Sequence, residues 1–155
     1  FCQGKETPPY LVLAGGKGWL DSGIYKKAEE LGRGDLVKFT EYVPDEMLCP
    51  LMCGALAFVF PSIYEGFGMP PLEAMACGVP VLTTHAASLP EVVGEDAVVT
   101  DPYSPEDIAA GLERLYTDEA LRQRLKAAGP KRAAQFTWER SAEQLYAVYQ
   151  EACRE

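Results

Sequence analysis

At 155 residues the chain is long enough for one domain with a sizeable core and too short for two ordinary ones. Its net charge of −9, from 23 acidic and 14 basic residues, excludes the cationic surface on which nucleic-acid and acidic-lipid binders rely. The 48% apolar content fits a globular protein, and no apolar run approaches the roughly 20 residues of a membrane span.

Short apolar runs alternate with helical patterns along the chain. The opening Phe1-Cys2-Gln3-Gly4-Lys5 has neither an initiator Met nor an apolar signal segment, as expected of a piece of something longer. Residues 10–14 read as a strand ending at Gly15-Gly16, and Leu20, Ile24, Ala28 and Leu31 mark a helical stripe closed by Gly32. Residues 36–40 read as a second strand, 44–52 as a short helix and 55–60 as a third strand. Residues 72–76 form helix up to Gly78 and Pro80, and strands follow at 79–83 and 97–100. Strands alternating with helices imply βαβ units and a parallel sheet.

Beyond Asp101 the pattern turns helical. Ser104 caps, Pro105 opens the helix, Glu106 and Asp107 complement its dipole, and Ile108, Leu112 and Leu115 form its apolar face. A second helix covers 118–128 and stops before Gly129-Pro130. The last begins after Thr137, with Trp138, Ala142, Leu145, Tyr149 and Ala152 on one apolar stripe. The fold expected is α/β, a single Rossmann-like domain over 1–155 with a helical C-terminal tail.

Several features read as ordinary structure. Cys2, Cys49, Cys53, Cys77 and Cys153 lack paired spacing, which argues for a reducing compartment over a disulfide scaffold. Cys49 and Cys53 would share a helix face, but with His85 the only histidine, two thiolates do not complete a tetrahedral metal site. The cysteines read as buried small hydrophobes. Arg122, Arg124, Lys126, Lys131 and Arg132 read as a solvated helix face, His85 as structural, and Tyr146 with Tyr149 as packing. Gly15-Gly16-Lys17-Gly18 lacks the Walker spacing and serves equally as a tight turn or a ligand contact.

The functional signal lies in Glu65-Gly66-Phe67-Gly68-Met69-Pro70-Pro71-Leu72-Glu73. Two carboxylates bracket a Gly-x-Gly turn between a buried strand and a helix start, the place where open α/β sheets bind ligands. Carboxylates accept hydrogen bonds from hydroxyls and a helix N-terminus attracts phosphate, so a nucleotide sugar would suit the pair. Glu73 falls in the first turn of its helix, where a dipole-complementing surface glutamate is the plain alternative.

The same segment resembles the E-x7-E signature of the retaining glycosyltransferases of family 4. The likeness runs in order through residues 11–19, Tyr42-Val43-Pro44-Asp45, Pro61-Ser62-Ile63-Tyr64, residues 74–81, Ser88-Leu89-Pro90-Glu91, Asp101-Pro102 and Phe136-Thr137-Trp138. It implies one half of a GT-B architecture, the C-terminal donor-binding domain, with the N-terminal acceptor domain absent from this chain. It implies that Glu65, the catalytic candidate, holds the donor sugar's hydroxyls and Glu73 the ribose. The N–H groups of Phe67, Gly68 and Met69 would face sugar and diphosphate beside Gly66, with Gly15, Tyr42 and Val43 also on the nucleotide. Where the family usually carries Gly, this chain has Glu41.

The implied reaction is hexosyl transfer from a nucleotide sugar to an acceptor hydroxyl with retention, and the pattern looks most like bacterial mannosyltransferases using GDP-mannose. A UDP- or ADP-glucose donor and a non-catalytic nucleotide-binding or assembly module are the alternatives. The resemblance implies no cofactor and no metal: the family's diphosphate-neutralising Arg and Lys lie N-terminal to this chain, and helix dipole and cations do that work. It further implies a cytoplasmic enzyme, peripheral at the inner face of the membrane when full-length. The stripe of residues 138–152 would reach the missing domain and, without it, drive self-association.

Overall fold

In this computed structural model, whose described residues are 1–2, 5–16, 22–31 and 34–154, strands and helices alternate as expected. The expectations resting on Lys17, Gly18, Trp19, Leu20 and Gly32 lie outside the described residues. The chain divides into two compact units, Phe1–Leu51 and Met52–Glu155.

The first unit holds β1 (Leu11–Ala14), α1 (Ser22–Glu30) and β2 (Val37–Glu41). The strands pair in parallel, Leu11 opposite Val37, with a register shift between Leu13 and Ala14. Tyr25 of α1 lies on Phe39 of β2 at 4.2 Å between ring centroids. No described residue of this unit is buried. Helix α2 (Asp45–Cys53), with Asp45 and Glu46 in its first turn, runs on into the second unit.

The second unit contains the core. Strands β3 (Phe58–Val59), β4 (Val81–Thr84) and β5 (Val98–Thr100) form a parallel sheet with β4 in the middle. All of β4 is buried. Successive side chains on a strand point to opposite faces, so Val81 and Leu82 serve two cores. Val81 joins Leu72 and Met75 of α3 (Met69–Ala76) and Val92 and Val93 of α4 (Leu89–Val93). Leu82 joins Val98, Leu115 of α5 (Pro105–Thr117) and Leu125 of α6 (Glu119–Ala133). The last helix, α7 (Trp138–Ala152), has every residue exposed.

The caps act as read: Ser104 accepts from Asp107 N, and Thr137 from Arg140 N. Asp118 is itself a cap, accepting from Leu121 N. The third strand is shorter than 55–60, although Phe58 N and Phe60 N extend the pairing to Pro80 O and Leu82 O.

Helix α6 does not stop at residue 128 but runs through Gly129-Pro130. Gly129 is where α6 meets α3: a Cβ there would lie 3.0 Å from Met75 O. Pro130 has no N–H for the Lys126 carbonyl, which lies against Gly78. A glycine–proline pair that normally punctuates a chain here marks a close helix crossing.

Candidate functional site

The loop from β3 to α3 carries the two glutamates, and its shape follows from Gly68. That residue caps α3 at φ 111, and a Cβ there would meet Leu89 Cδ2 at 2.8 Å, so only glycine fits. Gly66 differs: the space around a Cβ there is open, and its glycine is not demanded by a protein neighbour. Pro70 and Pro71 follow Met69 in the first turn of α3. Prolines lack an N–H, so of these three residues only Met69 can donate.

Starting at Met69 puts Glu73 in the second turn of α3, not the first as expected, and no acidic residue occupies the first turn. Its carboxylate is exposed. The dipole-complementing alternative loses its basis, because the macrodipole effect fades beyond the first turn.

Glu65 is half-buried; the hydroxyls of Ser62 and Ser88 reach it directly, and that of Thr84 holds Ser62. Ser62 Oγ donates to Glu65 Oε1 at 2.9 Å. Thr84 Oγ1, at the end of β4, donates to Ser62 O at 2.6 Å. Ser88 Oγ lies 2.8 Å from Phe67 O and 3.0 Å from Glu65 O, and its single proton is shared between the two carbonyls. The Phe67 ring meets Phe136 edge-on at 5.7 Å, with the Arg132 guanidinium over Phe136 at 5.1 Å. Sequence reasoning assigned no role to Ser62, Thr84 or Ser88. The available signals were that Ser62 and Ser88 fall in segments matching the family, and that Thr84 closes a neighbouring strand.

Gly15, Tyr42 and Val43 belong to the first unit. Gly15, at φ 150, donates its N–H to Glu41 O at 2.9 Å, so the loops after β1 and β2 meet. Glu41 itself has φ 57, a left-handed conformation that costs a non-glycine residue about 1–2 kcal/mol. The chain holds the backbone geometry glycine favours while carrying a glutamate, just before the exposed ring of Tyr42.

A profile of the family described as glycosyl transferases group 1 matches residues 3–132. The O-antigen chain mannosyltransferase B of Escherichia coli is 42% identical over 139 residues, covering 90% of this chain and 36% of that protein. The chain belongs to the group 1 glycosyl transferases. Sucrose-phosphate synthase from Thermosynechococcus elongatus superposes with a TM-score of 0.80 at 30% identity, over 93% of this chain and 38% of the other. The C-terminal domain of the group 1 glycosyl transferase LpcC from Francisella tularensis gives 0.70 at 28% identity, over 81% and 68%. The chain thus spans about a third (36%) of the Escherichia coli relative, and its fold is that of a GT-B half.

Elsewhere in this transferase chain some expectations change. Cys49 and Cys53 are exposed and one turn apart on α2, and Cys77 is half-buried with its thiol within 4.8 Å of that of Cys53. Cys49 and Cys53 are therefore not buried hydrophobes, whereas Cys77 packs against the core at the end of α3, with Cys53 Sγ 3.7 Å from its carbonyl oxygen. The arginines of α6 are not merely solvated. Arg122 donates to Leu115 O and Tyr116 O at the end of α5, and Arg132 to Val92 O and Glu91 O of α4, satisfying carbonyls a helix leaves open. His85 keeps its structural role, with N and Nδ1 both on Thr100 O at 3.1 and 3.2 Å. Among the described residues, no helix is long and apolar enough to cross a membrane.

Proposed function

We propose that this chain is the donor-binding part of a hexosyltransferase that carries mannose from GDP-mannose to an acceptor hydroxyl with retention at the anomeric carbon. The observation that carries this reading is the anchored Glu65 carboxylate at a strand-to-helix turn, with Glu73 exposed on the helix that follows. Glu65 would accept hydroxyls of the sugar and Glu73 those of the ribose. The open space at Gly66 lets a ligand approach the backbone closely. Gly68 and Met69 supply N–H groups at the positive end of α3 for the diphosphate, so the donor is held without a metal ion. Tyr42, Val43 and Gly15 would lie along the nucleotide.

Likeness to a mannosyltransferase supports mannose as the sugar. Likeness to sucrose-phosphate synthase favours a second reading, a glucose nucleotide as donor in the same site. The exposed stripe of α7 would dock the acceptor domain of the longer, cytoplasmic enzyme, and this chain alone would transfer nothing.

The test is product formation by the full-length enzyme with GDP-mannose, UDP-glucose or ADP-glucose, each in EDTA and with manganese. Mannosyl transfer in EDTA is the expected result. Glucosyl transfer selects the second reading, strict manganese dependence removes the metal-free mechanism, and no transfer at all leaves a nucleotide-binding module.

A further inference from the structure

We infer that Ser62 is a positioning residue that aims the Glu65 carboxylate at the donor sugar, with Ser88 locking the same residue by its backbone. This deepens the proposed function and rests on its assignment of Glu65 to the sugar.

The geometry of Ser62 is specific. Its hydroxyl has one proton, placed between Glu65 Oε1 at 2.9 Å and Tyr64 O at 3.0 Å. The carboxylate is the stronger acceptor because it is charged. With Oε1 engaged by Ser62, Oε2 keeps its full capacity to accept from a ligand hydroxyl, and a flexible side chain becomes a fixed acceptor. Ser62 is itself fixed, because its carbonyl accepts from Thr84 Oγ1 at 2.6 Å and Thr84 is fully buried on the central strand. The chain of bonds therefore runs from the core to the carboxylate.

Ser88 is the more telling of the pair. It stands at the N-cap of α4, where a serine side chain ordinarily accepts from its own helix. Here it makes no side-chain capping bond. Its hydroxyl instead binds the carbonyls of Glu65 and Phe67, the residues on either side of Gly66. One proton serves either carbonyl in turn, so the hydroxyl tethers the backbone on both sides of Gly66. With Ser88 at φ −76, ψ −15 and Pro90 at the second position of α4, little capping is open to this hydroxyl, and its partners are the carbonyls of the glycine turn.

The experiment is a thermodynamic cycle on binding, read by calorimetry with GDP-mannose against GDP and with UDP-glucose against UDP. Ser62→Ala should weaken the nucleotide sugar that binds by roughly three- to tenfold, the worth of one hydrogen bond, and leave the bare nucleotide unchanged. Ser62→Thr, which keeps the hydroxyl, should restore affinity. In a Glu65→Gln background Ser62→Ala should add less than about twofold, because the aimed carboxylate is already gone. Equal losses for sugar nucleotide and nucleotide, or full additivity with Glu65→Gln, would overturn the positioning role and leave Ser62 as a loop-stabilising residue. If Glu65→Gln itself does not distinguish sugar nucleotide from nucleotide, the proposed function fails first, and this inference falls with it. A silent Ser62→Ala beside an effective Glu65→Gln overturns the inference alone.

Discussion

The two units of the chain are built from the same βα alternation and differ in what holds them. In Phe1–Leu51 no described side chain is buried, and a tilted Tyr25–Phe39 ring contact and a parallel pair of strands give the order. In Met52–Glu155 a fully buried central strand feeds a core on each face. Two-stranded sheets are marginal alone, whereas a strand covered on both faces gains the full hydrophobic term. The glutamates sit on the well-anchored unit, and Gly15, Tyr42 and Val43 on the loosely held one. Pre-organisation of Glu65 follows from that division.

The largest expected effect contrasts equivalent truncations. Leu82→Ala should cost about 3–4 kcal/mol, because it opens a cavity under Gly111, where Leu82 Cδ1 lies 2.8 Å from a would-be Cβ. Leu11→Ala, half-exposed already, should cost less than about 1 kcal/mol. Urea denaturation of both variants checks this, and equal losses would erase the distinction between the units. Gly68→Ala comes next, at about 1–3 kcal/mol, from the left-handed backbone and the clash with Leu89. A Gly66→Ala variant should unfold within about 0.5 kcal/mol of the parent chain. If both glycines cost the same, the turn is not set by Gly68.

Glu41→Gly tests the first unit more finely. Relief of the φ 57 strain, about 1 kcal/mol, is offset by the greater freedom of glycine in the unfolded chain, so thermal melts should shift little. A loss above about 1 kcal/mol would show that the Glu41 side chain anchors the loop before Tyr42. The smallest effect on stability is expected from Leu145→Glu with Tyr149→Glu, since α7 is exposed throughout. Light scattering should show the parent chain self-associating through that stripe and the variant monomeric. Identical scattering from both would leave the stripe without a role in association.

Most elements were legible in the sequence because local signals agree with tertiary placement. Ser104-Pro105 and Thr137 mark their helices by capping chemistry alone. The misses have different causes. Gly129-Pro130 reads as a stop but serves the crossing of α3 and α6. Helix α4, five residues long and containing Pro90, is too short to show a period, and Gly68 starts α3 a turn before its helix-forming residues suggest. Glu65 and Glu73 could be found as a pattern. The hydroxyls of Ser62, Thr84 and Ser88 could not, because their partners are fixed by the sheet and not by spacing.

The central claim is that the two signature glutamates, held by the second unit, bind the donor. Its most direct test is kcat/KM of the full-length enzyme carrying Glu65→Ala or Glu73→Ala, with thermal melts alongside. Loss of a hydrogen bond to a charged acceptor predicts a fall of roughly ten- to a hundredfold in each variant, at an unchanged melting temperature. Near-parental kcat/KM with a saturable donor in both variants would contradict it.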